Sequence, residues 1–316
     1  MSDRSKIEWT DATWNPILAR NRANGKLGWF CTHMSEGCRG CYAEGMNARL
    51  GTGVAHKAQN VELVEVYLDD DVLAQPLRWR KPRAVFPCSM TDLFGEFVTD
   101  AMVANTRLIM AYASQHTFIV LTKRSMRMRR YLEGAPALPN VWLGVSVEDR
   151  ATLRRVTDLI ATPAARRLVS AEPLLEAVDF TRVPIPDETG RTDWRGPVPT
   201  HSALHASRYG PALDWIIVGG ESGRSARPMH PAWARAVRDQ CAAAGVAFFF
   251  KQWGEWAAAV DDDVHVFRDL LLAPDGSISG GTSPQASGSG VWMRRLGKRD
   301  AGRLLDGVEH NARPDA

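Results

Sequence analysis

Six short apolar runs recur along the sequence, and small or polar residues follow each of them. They are AVFPCS (84–89), TFIVLTK (117–123), NVWLGVSV (140–147), RRLVSAEP (166–173), DWIIVGGES (214–222) and VAFFFKQW (246–253). Runs of this length, rich in β-branched and aromatic residues, are typical of buried strands in a parallel sheet covered on both faces. This pattern excludes an all-helical fold and predicts a sheet whose strands are joined by crossover connections.

Helix-like stretches lie between the apolar runs, at residues 99–115, 125–134, 147–162 and 230–245. The last of them has Pro231 near its start and Gly245 just past its end, as helix start and stop signals require. Alternating strands and helices favour an α/β fold, and the simplest form is a complete or partial (β/α) barrel with about six to eight mostly parallel strands. A doubly wound open sheet is the alternative. In both folds, ligands bind at the carboxyl ends of the strands.

The chain of 316 residues, 45% of them hydrophobic, is long enough to bury a large core. We expect a barrel domain over residues 1–260, with an insertion at about 184–213 that is rich in proline, glycine and polar residues. Residues 261–316 are predicted to form a C-terminal extension, with a low-complexity loop at 274–290.

Charge and hydropathy limit the possible partners and compartments. The formal net charge of +3 does not by itself require a nucleic-acid partner. The N-terminal segment MSDRSKIEWTDATWNP is polar, and no apolar run approaches the roughly 18 residues of a membrane span. Five cysteines are too few for a disulfide framework in a chain of this length. We therefore expect a cytoplasmic protein with no membrane partner.

Three of the cysteines are grouped in the segment GWFCTHMSEGCRGCYAE (28–44). Cys31, Cys38 and Cys41 have the spacing C-x6-C-x2-C. Three thiolates can hold a [4Fe–4S] cluster by three irons and leave the fourth iron open to a small molecule. The segment follows TWNP (13–16) and precedes the six apolar runs, so it is expected in the loop after the first barrel strand, at the edge where the other strands end.

Two other interpretations of the cysteine segment remain open. His33 could complete a closed Cys3His zinc site with the three thiols, although its position two residues after Cys31 is unusual for a zinc ligand pair. Alternatively, the cysteines are small buried apolar residues without a metal.

The sequence also resembles, block by block, a phage-associated family with a three-cysteine motif and unknown function. The similarity runs from Ile7 to Trp256 and returns at residues 297–307; its blocks are IEWTDATWNP, CYAE, SMTDLFGEF, LTKRSMRM, NVWLGVSVED, VSAEPLL, IIVGGESG, ARPMHPAW, FFFKQWGEW and GKRDAGRLLDG. That family is similar to radical S-adenosylmethionine enzymes, with spore photoproduct lyase as a suggestive relative. The first gap between cysteines is longer here than the C-x3-C-x2-C spacing most common in those enzymes.

The resemblance implies a [4Fe–4S] cluster on Cys31, Cys38 and Cys41 with S-adenosyl-L-methionine bound to the open iron. Reduction would then generate a 5′-deoxyadenosyl radical that abstracts hydrogen from a substrate. The implied substrate is DNA or a nucleotide, to be repaired or modified, and the reaction needs an electron donor. A protein encoded by a neighbouring gene is a further candidate partner.

The resemblance also places polar residues after the strands near the cofactor. Ser89 and Asp92 are expected to contact its amino group or ribose, and Ser146 and Glu148 its ribose hydroxyls. Cys88 is a candidate catalytic hydrogen donor; the alternative is a structural thiol. For Ser146 and Glu148, the alternative is a cap of the next helix.

The later strands supply further candidate cofactor-binding residues: Glu172, Gly220, Glu221 and Lys251. Gly220 would let a ligand approach the backbone. In the structural alternative, Lys251 is a buried cation that balances Glu172 or Glu221.

Basic and aromatic residues are the candidates for a nucleic-acid contact. The segment TKRSMRMRR (122–130) carries Lys123, Arg124, Arg127, Arg129 and Arg130, which could bind phosphates or form an ordinary solvated surface. A second set could stack on adenine or a base, or pack in the core: Trp9, Trp14, Trp253 and Trp256.

Overall fold

The computed structural model of the chain describes Ser5 and residues 7–185, 199–259, 269–280 and 290–315. It shows a mixed α/β fold whose main sheet has seven parallel strands and curls into half of a barrel. The prediction of a partial (β/α) barrel is confirmed at this level. No helix in the described ranges combines the length and apolar character needed to cross a bilayer.

Sixteen strands are present in the described residues. They are β1 (Ala12–Trp14), β2 (Ile17–Asn21), β3 (Leu27–Gly28), β4 (Val64–Leu68), β5 (Ala84–Pro87), β6 (Thr117–Thr122), β7 (Val141–Ser146), β8 (Arg166–Ala171), β9 (Val183–Pro184), β10 (Thr200–His201), β11 (Trp215–Gly219), β12 (Ala247–Gln252), β13 (Trp256–Ala258), β14 (Leu270–Leu272), β15 (Ile278–Gly280) and β16 (Val291–Arg295). The main sheet has the order β1-β5-β6-β7-β8-β11-β12. All six apolar runs of the sequence contribute a strand to it.

The α-helices are α1 (Tyr42–Leu50), α2 (Asp70–Leu73), α3 (Gln75–Arg78), α4 (Asp100–Tyr112), α5 (Ser125–Leu132), α6 (Arg154–Ala161), α7 (Pro231–Ala244) and α8 (Lys298–Ala301). Short 3-10 helices span Glu36–Cys38, Ala58–Leu63 and Arg150–Leu153. Helix α7 begins at Pro231 and ends before Gly245, whose φ of 69° is the left-handed conformation that glycine adopts without strain. The predicted signals of this helix are confirmed.

The chain forms two compact units. The first comprises residues 1–145 and 161–167, and the second comprises residues 146–160 and 168–315. In the first unit, β2 pairs antiparallel with both β3 and β4 beside the parallel strands β1, β5 and β6. Helix α4 begins where the Thr99 side chain accepts a hydrogen bond from the Met102 amide.

The second unit contains two antiparallel sheets in addition to its parallel strands. Strand β9 pairs with β10, and β13, β16, β14 and β15 form a four-stranded sheet. The predicted insertion at 184–213 and loop at 274–290 lie partly outside the described residues, as does the predicted boundary at 260–261. Strand β11 is buried along its whole length, as expected for a strand covered on both faces.

A segment near the end of the sequence, residues 302–312, runs beside β12. The Phe250 amide donates a hydrogen bond to the His310 carbonyl over 2.9 Å, and the Trp253 amide donates to the Gly302 carbonyl over 3.1 Å. An isolated antiparallel bridge joins Phe249 to Asn311. This segment therefore covers the outer backbone edge of β12.

Candidate functional site

The cysteine loop, residues 29–41, lies between β3 and α1. Residues that follow two of the parallel strands hold it: Thr91, after β5, donates a hydrogen bond from its hydroxyl to the Phe30 carbonyl over 2.5 Å, and Arg124, after β6, donates to the Thr32 carbonyl over 3.0 Å. The Tyr42 hydroxyl also bonds the Ser89 carbonyl. These contacts place the loop at the carboxyl ends of β5 and β6, as the sequence predicts.

Backbone amides point at two of the thiols. The Met34 amide donates to Cys38 Sγ over 3.4 Å. Cys41 is the N-cap residue of α1, and burial raises the pKa of its thiol while the amides of Glu44 and Ala43 lower it. Such N–H···S bonds and a helix N-terminus stabilise a thiolate.

Cys31 is the most strongly shifted of the three thiols. Burial raises its pKa from 9.0 to about 12, while the positive charge of Arg124 opposes the shift and Asp92, Cys41 and Cys38 add to it. Its Sγ lies 3.7 Å from the Thr32 carbonyl. Without a metal the Cys31 sulfur is therefore held as a neutral thiol, and a cation such as iron would favour the thiolate.

The three sulfurs fit an iron–sulfur cluster by their chemistry. Each lies within electrostatic range of the others, since Cys38 and Cys41 both act on Cys31 and Cys38 acts on Cys41. The structure does not draw the three sulfurs together around a metal position, since no group of three or more His, Cys, Asp or Glu side chains among the described residues is arranged so that it could hold a metal ion. In a [4Fe–4S] cluster each thiolate binds a different iron, and sulfur is the ligand such clusters take.

His33, the fourth ligand in the zinc interpretation, has a partner in the structure. Its Nε2 lies 2.8 Å from Glu44 Oε2, and the other Glu44 oxygen accepts a hydrogen bond from the His56 amide over 2.9 Å. The ring of His56 is fully buried, and neither of its nitrogens has a hydrogen-bond partner. Burial lowers the His56 pKa from 6.5 to about 4.

Cys88, the predicted hydrogen donor, sits directly after β5. It is buried, and its φ of 56° is unusual for a residue other than glycine. Its amide donates to the Trp14 carbonyl over 2.7 Å, which fixes this conformation. Burial, Asp92 and Cys31 together raise the pKa of the Cys88 thiol, so the sulfur is a neutral S–H group near Cys31. Its role as a hydrogen donor stays a prediction.

Ser89 and Asp92 already have protein partners. The Ser89 hydroxyl pairs with the Asn15 side chain at 3.1 Å. The carboxylate of buried Asp92 accepts four hydrogen bonds, from the Phe94 amide (3.0 Å), the Thr122 hydroxyl (2.7 Å), the Lys123 amide (3.1 Å) and Arg124 Nη1 (3.0 Å). Asp92 thus organises the turn after β5, and the predicted contact of either residue with a cofactor stays a prediction.

Two of the five basic residues predicted to bind phosphate are turned inward. The Arg124 side chain is only 2% exposed and pairs with Asp92 and Glu96. Arg127 donates to the carbonyls of Gly95 and Val98 and to Asp100. For Arg124 the interpretation as a phosphate contact is wrong, because its side chain is buried; for Arg127, whose side chain is 26% exposed, it stays a prediction. Sequence reasoning did not assign Arg124 to the cysteine loop, since its partner Thr32 is distant in the chain.

In the second unit, Glu148 forms a buried ion pair. Its side chain is 0% exposed, and Oε2 lies 2.9 Å from Nη1 of Arg155, which also donates to the Ser146 carbonyl over 2.7 Å. Neither Ser146 nor Glu148 caps the next helix, so that alternative is wrong. Asp149 does so instead, through a capping box with Thr152.

Glu221 forms a two-pronged ion pair with Arg227, whose Nε and Nη2 each lie 2.8 Å from a carboxylate oxygen. Gly220 has no room for a ligand at its α-carbon, because a Cβ there would lie 1.9 Å from the Trp253 carbonyl oxygen. The glycine is required by the close approach of the chain itself. The predicted contacts of Glu221 and Gly220 with a cofactor have no support in this packing.

Glu172 and Lys251 form an ion pair, as the structural alternative predicts. Lys251 Nζ lies 2.8 and 3.1 Å from the two Glu172 oxygens, and Gln252 Nε2 lies 3.3 Å from Oε1. Their side chains are 17% and 15% exposed, more than those of the Glu148 pair. The Gln252 Oε1 atom is buried without a hydrogen-bond partner. A contact of this cluster with a ligand stays a prediction.

The four tryptophans proposed as stacking surfaces are buried, which agrees with the core-packing alternative. Three of them donate their indole N–H to a carbonyl: Trp14 to Val72, Trp253 to Leu304 and Trp256 to Ala226. Tyr42, beside Cys41, is 53% exposed. It is therefore the accessible aromatic ring at the cysteine loop.

The sequence was compared with known proteins. No curated protein and no solved structure matches it. A family model described as "Protein of unknown function (DUF5131)" matches residues 4–314, nearly the whole chain. The chain belongs to the DUF5131 family.

Proposed function

We propose that the protein is a radical S-adenosylmethionine enzyme that holds a [4Fe–4S] cluster on Cys31, Cys38 and Cys41. The observation that carries the proposal is that three cysteines share one loop at the carboxyl ends of parallel strands, where the Met34 amide donates a hydrogen bond to Cys38. Active sites of (β/α) barrels lie at these ends. The half-barrel architecture and the three-cysteine spacing support the same proposal.

The cluster with S-adenosylmethionine would supply one-electron cleavage of the sulfonium and abstraction of a hydrogen atom from a substrate. The chain's own residues provide the setting. Cys31, Cys38 and Cys41 would hold the irons; the Met34 amide donates to Cys38, and the backbone of Glu44 and Ala43 lowers the pKa of Cys41, which favours the thiolates. The buried S–H group of Cys88 is the neighbouring hydrogen source available to the site.

The test is anaerobic purification followed by reconstitution with iron and sulfide. We expect about four irons per chain, an electron paramagnetic resonance signal after reduction that changes with S-adenosylmethionine, and release of 5′-deoxyadenosine. Alanine variants of Cys31, Cys38 and Cys41 should each lose the cluster, whereas Cys88→Ala should keep it. Loss of iron in Cys88→Ala would instead make Cys88 a ligand and remove the open iron site.

A colourless protein with one tightly bound zinc, lost in a His33→Ala variant, would overturn the proposal. It would support the zinc-stabilised, non-enzymatic nucleic-acid-binding protein that the sequence leaves open. Zinc content by mass spectrometry of the native protein separates the two outcomes.

We propose DNA or a nucleotide as the substrate. Its support is the family resemblance and the remaining basic residues after β6, Lys123, Arg129 and Arg130. Binding to single- and double-stranded DNA, measured by fluorescence anisotropy at two salt concentrations, tests it, since phosphate contacts weaken steeply with salt. If an Arg129→Gln/Arg130→Gln variant binds DNA as tightly as the wild-type chain, these two arginines do not contribute to a DNA interface.

A further inference from the structure

We infer that Arg124 is a positioning residue of the cysteine loop, which orients Cys31 and supplies the positive charge that offsets a bound cluster. The inference rests on the proposed function and deepens it. From the sequence, Arg124 could have bound phosphate or formed part of a solvated surface; its buried side chain excludes both roles.

Arg124 joins three segments through one guanidinium group. Nη1 donates to Asp92 over 3.0 Å, Nε donates to Glu96 over 2.7 Å, and Nη2 donates to the Thr32 carbonyl over 3.0 Å and to the Thr32 hydroxyl. The Thr32 carbonyl also accepts a hydrogen bond from the Cys31 thiol, over 3.7 Å. The arginine therefore fixes the peptide that sets the direction of Cys31.

The charge of Arg124 acts on the same sulfur. Its guanidinium forms ion pairs with two carboxylates, with Nη1 3.0 Å from Asp92 and Nε 2.7 Å from Glu96, and these keep it charged. Lys123, the preceding residue, acts in the same way on Cys41. A buried cation lowers the energy of an anionic cluster, most strongly in its reduced state, because charges interact strongly where water is excluded.

Arg127, in helix α5, offers a matched comparison with Arg124, the N-cap residue of that helix. It bonds the Gly95 and Val98 carbonyls as Arg124 bonds the Thr32 carbonyl, yet none of its contacts reaches the cysteine loop. Both arginines stabilise the segment after β5. Only Arg124 is expected to influence a cluster.

The experiment compares the wild-type chain with Arg124→Met, Arg124→Lys and Arg127→Met after reconstitution. The readouts are the apparent iron affinity, the midpoint potential from a redox titration followed by electron paramagnetic resonance, and the melting temperature. Arg124→Met should lose about 10- to 100-fold in iron affinity and shift the potential to more negative values. Arg124→Lys should keep the potential near wild type, since the charge remains, while Arg127→Met should lower only the melting temperature.

Asp92→Asn keeps the inference testable if Arg124→Met does not fold. It removes a negative charge beside the same guanidinium, so the potential should shift to more positive values, opposite to Arg124→Met. A folded Arg124→Met or Asp92→Asn chain with wild-type iron affinity and potential would overturn the inference. A wild-type chain that takes up no iron would overturn the proposed function instead.

Discussion

The carboxyl ends of the strands differ between the two units of the molecule. In the second unit, each of three carboxylates after a strand has a cation of the same chain: Glu148 pairs with Arg155, Glu221 with Arg227 and Glu172 with Lys251. In the first unit, Cys38 and Cys41 of the cysteine loop receive backbone N–H groups, and the positive charges of Arg124 and Lys123 lower the pKa values of Cys31 and Cys41, respectively.

The two units differ in whether the polar groups at their strand ends already have a partner of opposite charge. A carboxylate paired inside its own unit has little remaining capacity to bind a ligand, and its removal should affect stability first. Neutral buried thiols become good ligands only when a metal draws off their protons. Under the proposed function the first unit would hold the chemistry, while the carboxylates of the second are paired within its structure.

The largest expected effect is on the Glu148 pair. Arg155→Met leaves a fully buried carboxylate without its cation and should lower the free energy of unfolding by about 3–5 kcal/mol, measured by urea denaturation. The matched control is Arg150→Met, whose ion pair with Glu176 lies at the surface, at 3.4 Å; it should cost less than about 1 kcal/mol. Equal effects of the two variants would contradict a structural role for the buried pair.

A smaller effect should appear in the pH dependence of stability, through His56. Its pKa is 6.5 when unfolded and about 4 when folded, so the unfolded state binds a proton first as the pH falls. Stability is therefore full above pH 6.5 and lost by up to about 3 kcal/mol as the pH falls from 6.5 to 4.

Urea denaturation across this range, in wild type and His56→Leu, measures the effect. Glu44 and His33 face the ring, and both remain in the variant. The profile of the variant should be flatter, with the remaining slope due in part to His116, whose pKa burial also lowers. An unchanged profile would mean that His56 is not held neutral.

The smallest effect is expected at the partly exposed pair. Lys251→Met should cost about 1–2 kcal/mol, with exposed Lys57→Met as the control. Equilibrium dialysis with S-adenosylmethionine sharpens the comparison. If Glu172 and Lys251 only stabilise the fold, the wild-type chain and Lys251→Met should bind S-adenosylmethionine with the same affinity. A tenfold or greater loss of affinity in Lys251→Met, about 1.4 kcal/mol or more, would make this pair a ligand site and involve the second unit in the chemistry.

The parallel sheet was predictable from the sequence because its signal is local. Runs such as DWIIVGGES and VAFFFKQW are apolar, β-branched or aromatic, and both became strands, β11 and β12. Short strands such as β3, with two residues, carry too little pattern to be found. The helix signals Pro231 and Gly245 were sufficient for α7, since capping depends on adjacent residues.

The site was only partly predictable, because ion pairs depend on distance in space. Glu148 and Arg155 lie on a strand exit and the helix after it, so a pairing could have been suspected. Arg124 and Thr32 are 92 residues apart in sequence, and no local pattern joins them. Gly220 was predicted to let a ligand approach the backbone, whereas the group that approaches it in the structure is the Trp253 carbonyl.

Residues 302–312 cover the edge of β12, and an uncovered strand edge can pair with a strand of another chain. Phe248, Phe249 and Phe250 would otherwise present unpaired backbone groups next to apolar side chains, which is the usual template for intermolecular strand addition. The Phe250 amide donates to the His310 carbonyl, an isolated bridge joins Phe249 to Asn311, and the Trp253 amide, just past the strand, donates to the Gly302 carbonyl. A chain shortened before Gly302 would therefore be expected to aggregate through β12, even with every other strand intact.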